Sequence, residues 1–142
     1  MFTNNKNVAL VFVTLIAMIT ACNNQHQYEI ESNENYEKTK NTLAEVERKN
    51  PVQFLSVAGS NKKNLLGQTV VNGTIFNNAK MVSFKDVDIK LSFYSKTGAL
   101  LEEDHNVVYE TISPGGSKSF KSKFFTAKGT DSVGFKIVGA KF

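Results

Sequence analysis

Tryptophan is absent from this 142-residue chain, cysteine occurs once and histidine twice. A single cysteine excludes an internal disulfide framework and a cysteine-rich zinc site. Two histidines, His26 and His105, leave little material for catalysis or metal ligation. Arginine is missing from residues 51–142, and net charge is only +4, which argues against a nucleic-acid partner. With 41% apolar and 21% charged residues, the composition excludes a wholly disordered chain and supports one domain rather than two.

What is present begins with an apolar run. Met1–Asn7 carries one charge, Lys6, and Val8–Thr20 then gives 13 residues without any. As a helix that run reaches about 20 Å, short of the roughly 30 Å hydrocarbon core of a bilayer, so a stable membrane span is not expected. It ends in Ile19-Thr20-Ala21-Cys22. This resembles the bacterial lipobox: an aliphatic residue, a small residue, Ala or Gly, then cysteine. The resemblance implies that Cys22 receives a thioether-linked diacylglycerol, that cleavage falls before it and that its amine is acylated. The chemistry fits, because a thiolate is the nucleophile that attacks a lipid donor and two or three acyl chains anchor stably. Residues 1–21 are read as a lipoprotein signal peptide and set aside from the fold. The expected location is the bacterial cell envelope, lipid-anchored, with the domain facing periplasm or exterior.

Residues 22–50 read as the lipidated cysteine and a polar tether. Positions 23–50 hold six acids and four bases, with few apolar side chains. Tyr36, Leu43 and Val46 have the spacing of a weakly amphipathic helix over roughly 36–49, ended by Asn50-Pro51. Such a helix serves either as a spacer from the membrane or as a partner-binding element. His26 falls within the tether as a solvated side chain.

Residues 51–142 are β-patterned. In Asp86–Tyr94, Val87, Ile89, Leu91 and Phe93 alternate with Asp88, Lys90, Ser92 and Tyr94, the strict period two of a half-buried strand. Further strands are expected at Val52–Val57, Gln68–Phe76, Ala99–Glu102, Asn106–Ile112, Lys118–Phe125 and Val133–Ile137. Gly73 predicts close backbone approach or a bulge. Turn signals stand at Asn77-Asn78-Ala79, Ser95–Gly98 and Ser113–Gly116. Six or seven strands in 92 residues predict an all-β, antiparallel β-sandwich of immunoglobulin or fibronectin type III character, with a small barrel as the alternative.

Val71–Ala79, Phe84–Val87, Phe93–Gly98 and Ile112–Ser117 with Phe120 resemble FxLYD-like β-sandwich domains of secreted and membrane-anchored bacterial proteins. Gly73, Ile75 and Asn77 match a "G-x-I/V-x-N" strand, Tyr94 the tyrosine, and Pro114-Gly115 the "P-G" corner. Ser95 stands where aspartate is usual, and Leu91 where phenylalanine is. The resemblance covers roughly residues 70–140. It implies a non-enzymatic sandwich and carries no catalytic residues.

Three clusters remain. Glu102-Glu103-Asp104-His105 is the densest acidic stretch and reads as a solvated hairpin tip or a weak site for a hard cation. Lys118, Lys121, Lys123 and Phe125 form a basic, aromatic patch suited to anionic headgroups, a polysaccharide or an acidic partner; the same pattern describes an edge strand protected by outward lysines. Asp131-Ser132-Val133 resembles the O-glycosylation motif of Bacteroidetes exports, which would modify Ser132. No catalytic residue, metal site or cofactor is expected. The sequence points to a membrane-anchored, non-catalytic binding or scaffolding module with an envelope protein or glycan partner. An accessory subunit of an envelope enzyme or transporter, and a glycan- or lipid-binding module, are the alternatives. A hydrolase would need a pocket joining Glu102, Asp104 or His105 to a second titratable group.

Overall fold

Pro51 punctuates the chain. It has no N–H to continue the helix before it, and it opens the short helix after it. The structure, a computed structural model, describes residues 25–142, with side chains from Asn33 onward. Cys22 and the apolar run therefore lie outside the described residues. Helix α1 spans Gln25–Lys49 and α2 Pro51–Phe54. Six strands follow: β1 Leu55–Lys63, β2 Thr69–Asn77, β3 Lys85–Ser95, β4 Leu100–Val108, β5 Ser117–Phe124 and β6 Thr130–Lys141.

The fold is mostly β. The strands form two three-stranded antiparallel sheets, ordered β1-β2-β5 and β4-β3-β6. The alternation of β3 turns Val87, Ile89, Leu91 and Phe93 inward, all fully buried. They meet Leu55, Val71 and Ile75 of the first sheet in one apolar core. Phe93 of β3 and Phe124 of β5 touch across it, ring centres 5.6 Å apart. At the open side, Ser122 of β5 donates to Asn106 of β4.

Gly59 and Gly73 face each other directly on β1 and β2. A Cβ on Gly59 would lie 2.5 Å from the ring of Phe135, and one on Gly73 2.4 Å from the ring of Phe120. Each aromatic ring thus covers backbone that a side chain would displace; at Gly73 the approaching group is the Phe120 ring, and the ladder there has no bulge. Gly73→Ala should cost about 1–3 kcal/mol by overpacking, and Phe120→Leu in the same chain should recover part of that loss. Paired chemical-denaturation curves of the single and double variants check this.

Loops complete the core. Phe84, Ala79, Val82 and Ile112 are buried, and Phe84 and Ile112 form an isolated antiparallel bridge. The strand expected at Asn106–Ile112 is therefore divided. β4 starts earlier and ends at Val108, and Ile112 returns alone to cap the core.

The compact unit that holds both sheets runs from Lys40 to Phe142. Leu43 and Val46 remain substantially exposed. Ala44 packs against the core, and Glu47 is fully buried. The face of α1 that docks is therefore the one carrying Ala44 and Glu47, three residues apart, and not the apolar seam. The Glu47 carboxylate accepts the N–H groups of Lys80, Met81 and Val82 at 2.7, 3.0 and 2.9 Å. The Arg48 guanidinium lies 5.9 Å over the Phe142 ring.

Candidate binding surface

The two sheets differ in charge. β1, β2 and β5 contain no Asp or Glu, and carry Lys62, Lys63, Lys118, Lys121 and Lys123. β3, β4 and β6 hold Asp86, Asp88, Glu102, Glu103, Asp104 and Asp131, against Lys85, Lys90, Lys136 and Lys141. One sheet is cationic only, and the other is mixed.

The mixed sheet neutralises itself. Its outer face carries diagonal pairs between neighbouring strands: Lys90–Glu103 at 2.7 Å, Asp88–His105 at 2.9 Å and Asp86–Lys141 at 3.0 Å. The Glu102–His105 stretch is therefore mid-strand, paired residue by residue with β3, and not a hairpin tip. The tip is Ser95–Gly98, closed by the Gly98 N–H donating to Ser95 O, with Gly98 at positive φ. Alternation also splits the cluster. Glu103 and His105 join the outer pairs, while Glu102 accepts the Ala127 N–H at 2.7 Å. Among the described residues, no group of three or more His, Cys, Asp and Glu is placed to hold a metal ion.

Lys90 holds the Glu103 carboxyl below the usual carboxylate range, chiefly through its hydrogen bond, with Ser92 adding to the effect against desolvation. A carboxyl whose folded pKa is depressed supports the fold above its unfolded value and loses that support as pH falls through the folded value. Lys90→Met should return Glu103 towards the ordinary range. The change is readable as an upward shift in its carboxyl NMR titration midpoint. Because Glu103 is exposed, the effect on melting should be small.

The cationic sheet has no acid of its own strands to neutralise it. Lys121 and Lys123 share the outward parity of β5, opposite Phe120 and Phe124. Phe125 follows the strand end and is highly exposed. Lys118 has the other parity and lies 3.4 Å from Glu110. The four residues of the expected patch are thus not one surface: Lys121 and Lys123 share a face, Phe125 lies at its end, and Lys118 turns to the open edge. Ser132 is exposed on β6, opposite Tyr94.

Over the Gly59–Gly73 pair, the outer face dips into an open cavity of about 640 Å³. Ser60, Asn72, Thr74 and Ser119 floor it, and Phe76 and Lys121 border it. Thr74 and Ser119 share a hydroxyl hydrogen bond of 3.0 Å. Phe76 was not among the expected site residues; the signal that marks it is strand parity, which opposes it to Ile75 and leaves an aromatic ring on a polar face. Leu65 and Leu66 are exposed on the β1–β2 turn, and their only sequence signal is the glycine that follows them.

Comparison with family models, curated proteins and solved structures returns no match.

Proposed function

We propose that this chain is a lipid-anchored envelope lipoprotein whose β domain is a non-catalytic binding module for an anionic partner. The observation that carries the reading is the cationic sheet: five lysines, no acid, and an outer face of small polar side chains. The anchor rests on the position of Cys22, the sole cysteine, directly after the apolar run. The strand order favours an immunoglobulin or fibronectin type III sandwich, because the chain crosses between sheets after β2, β4 and β5, as in a Greek key. The partial FxLYD-like pattern agrees with that assignment. A non-catalytic role is favoured by His105 and its neighbouring acids lying in exposed cross-strand pairs rather than in a shared pocket.

A glycan ligand is the second reading. The cavity beside Phe76 favours it, since a half-exposed ring and hydroxyl-bearing floor residues suit a sugar.

The test compares wild type with Cys22→Ala by cell fractionation and crosslinking in the producing cells. Wild type should be membrane-bound and the variant released. One protein captured in constant proportion would favour an accessory subunit. A variant with unchanged processing and location would overturn the anchor.

A further inference from the structure

The three most exposed large apolar side chains among the described residues are Leu65 at 105%, Phe125 at 80% and Leu66 at 79%. They come from separate loops, yet strand register places them together. Lys63 pairs with Thr69, and Thr69 pairs with Phe124, so the β1–β2 turn and the start of the β5–β6 loop leave the cationic sheet at one end. The Thr69 and Thr126 hydroxyls tie the two loops at 2.7 Å.

The turn is rigid. The Asn64 side-chain oxygen accepts the N–H groups of Leu66 and Gln68 at 3.0 and 2.9 Å, and its amide donates to Gln68 Oε1 at 2.8 Å. Gly67 takes the positive φ that closes it. The β5–β6 loop is held by Ala127, whose N–H donates to Glu102 and whose carbonyl accepts Thr130 Oγ1. Lys62 and Lys63 end β1, Lys123 stands next to the end of β5, and Lys128 lies in the β5–β6 loop. The acids nearest in the fold are Glu102, engaged by the Ala127 N–H, and Asp131 at the start of β6.

We propose that this end of the domain inserts Leu65, Leu66 and Phe125 into the surface of an anionic lipid bilayer, with the lysines on the headgroups. A protein interface favours an extended, complementary patch with a buried apolar centre. Here separate apolar knobs protrude from turns, and the strand ends and loop that carry them hold four lysines. That is the pattern of interfacial insertion, in which apolar burial and attraction to anionic lipid add. The inference rests on the reading of the domain as a module for anionic partners. It adds a lipid contact independent of Cys22.

Because the chain has one cysteine, Cys22→Ala combined with Leu66→Cys gives a single thiol for an NBD label. A matched Ser117→Cys chain carries the label at the opposite end of the cationic sheet. With phosphatidylglycerol vesicles, NBD emission at position 66 should rise and be quenched by lipids spin-labelled in the acyl chain. Emission at 117 should not change. Leu65→Ser with Phe125→Ser should lower lipid affinity about 100-fold, with unchanged melting. Phosphatidylcholine vesicles should bind at least 10-fold more weakly. No emission change at 66, an equal change at 117, or unchanged affinity in the serine variant would each overturn the proposal. The labelled chains carry no Cys22, so this result stands apart from the fractionation test of the anchor.

Discussion

Glu47→Ala should destabilise the Lys40–Phe142 unit by about 3–5 kcal/mol and lower its melting temperature by roughly 15 °C or more. The wild-type carboxylate is fully buried and receives three main-chain N–H groups, from Lys80, Met81 and Val82. Hydrogen bonds to a charged acceptor are the stronger kind, and a buried donor left without a partner costs about 1–3 kcal/mol. Glu47→Gln should fall between wild type and alanine. Its amide oxygen can keep one side of the contact, while its NH₂ meets an N–H on the other. Denaturation curves give the ranking, and hydrogen exchange at Val82 locates the damage. If alanine melts like wild type, α1 does not contribute to the stability of the domain.

The same residue marks where the sequence could be read and where it could not. β3 was legible because its alternation is strict and one face is entirely apolar. β5 was legible from a looser alternation, with Phe120 and Phe124 set against Lys121 and Lys123. Both signals are local: two faces, one wet and one dry. Glu47 carries no such signal. It sits in the last turn of α1, where the helix dipole disfavours a negative charge, beside the well-placed Arg48 and Lys49. Only a contact 33 residues or more away explains it, so a helix read from its own residues shows the weak Tyr36, Leu43 and Val46 spacing and gives Glu47 no role. The acidic stretch in β4 hid its role in the same way. Glu103 and His105 become partners of Lys90 and Asp88 only once the register of β3 and β4 is known. For the binding surface, individual lysines were visible. The absence of acids across β1, β2 and β5 becomes a surface property only when the topology assembles those strands into one sheet.

Asn77→Ala should cost about 3–4 kcal/mol, the second large effect. This buried amide donates to Val82 O and Ile112 O, both at 2.9 Å, and its oxygen accepts the Ala79 N–H at 3.0 Å. Its main chain also exchanges bonds with Gly116 and Gly115. One side chain thus joins the end of β2 to two loops. Asn77→Asp is the sharper test. At neutral pH the introduced carboxylate would face two carbonyl oxygens with no proton to donate, so it should be at least as damaging as alanine. Protonation restores one donor. The introduced group should then have a folded pKa above its unfolded value, and its excess cost relative to wild type should shrink as pH falls through that range. A cost independent of pH would mean that the amide only fills space. Val82 links this residue to Glu47: its N–H goes to the carboxylate and its carbonyl to the amide. Once either grip is lost, the other holds a loop that is already loose. The double variant Glu47→Ala/Asn77→Ala should therefore cost less than the sum of the singles, by about 1 kcal/mol or more. Strict additivity in that cycle would show that helix and loop are held independently, and that α1 docks on the domain without helping to order the segment between β2 and β3.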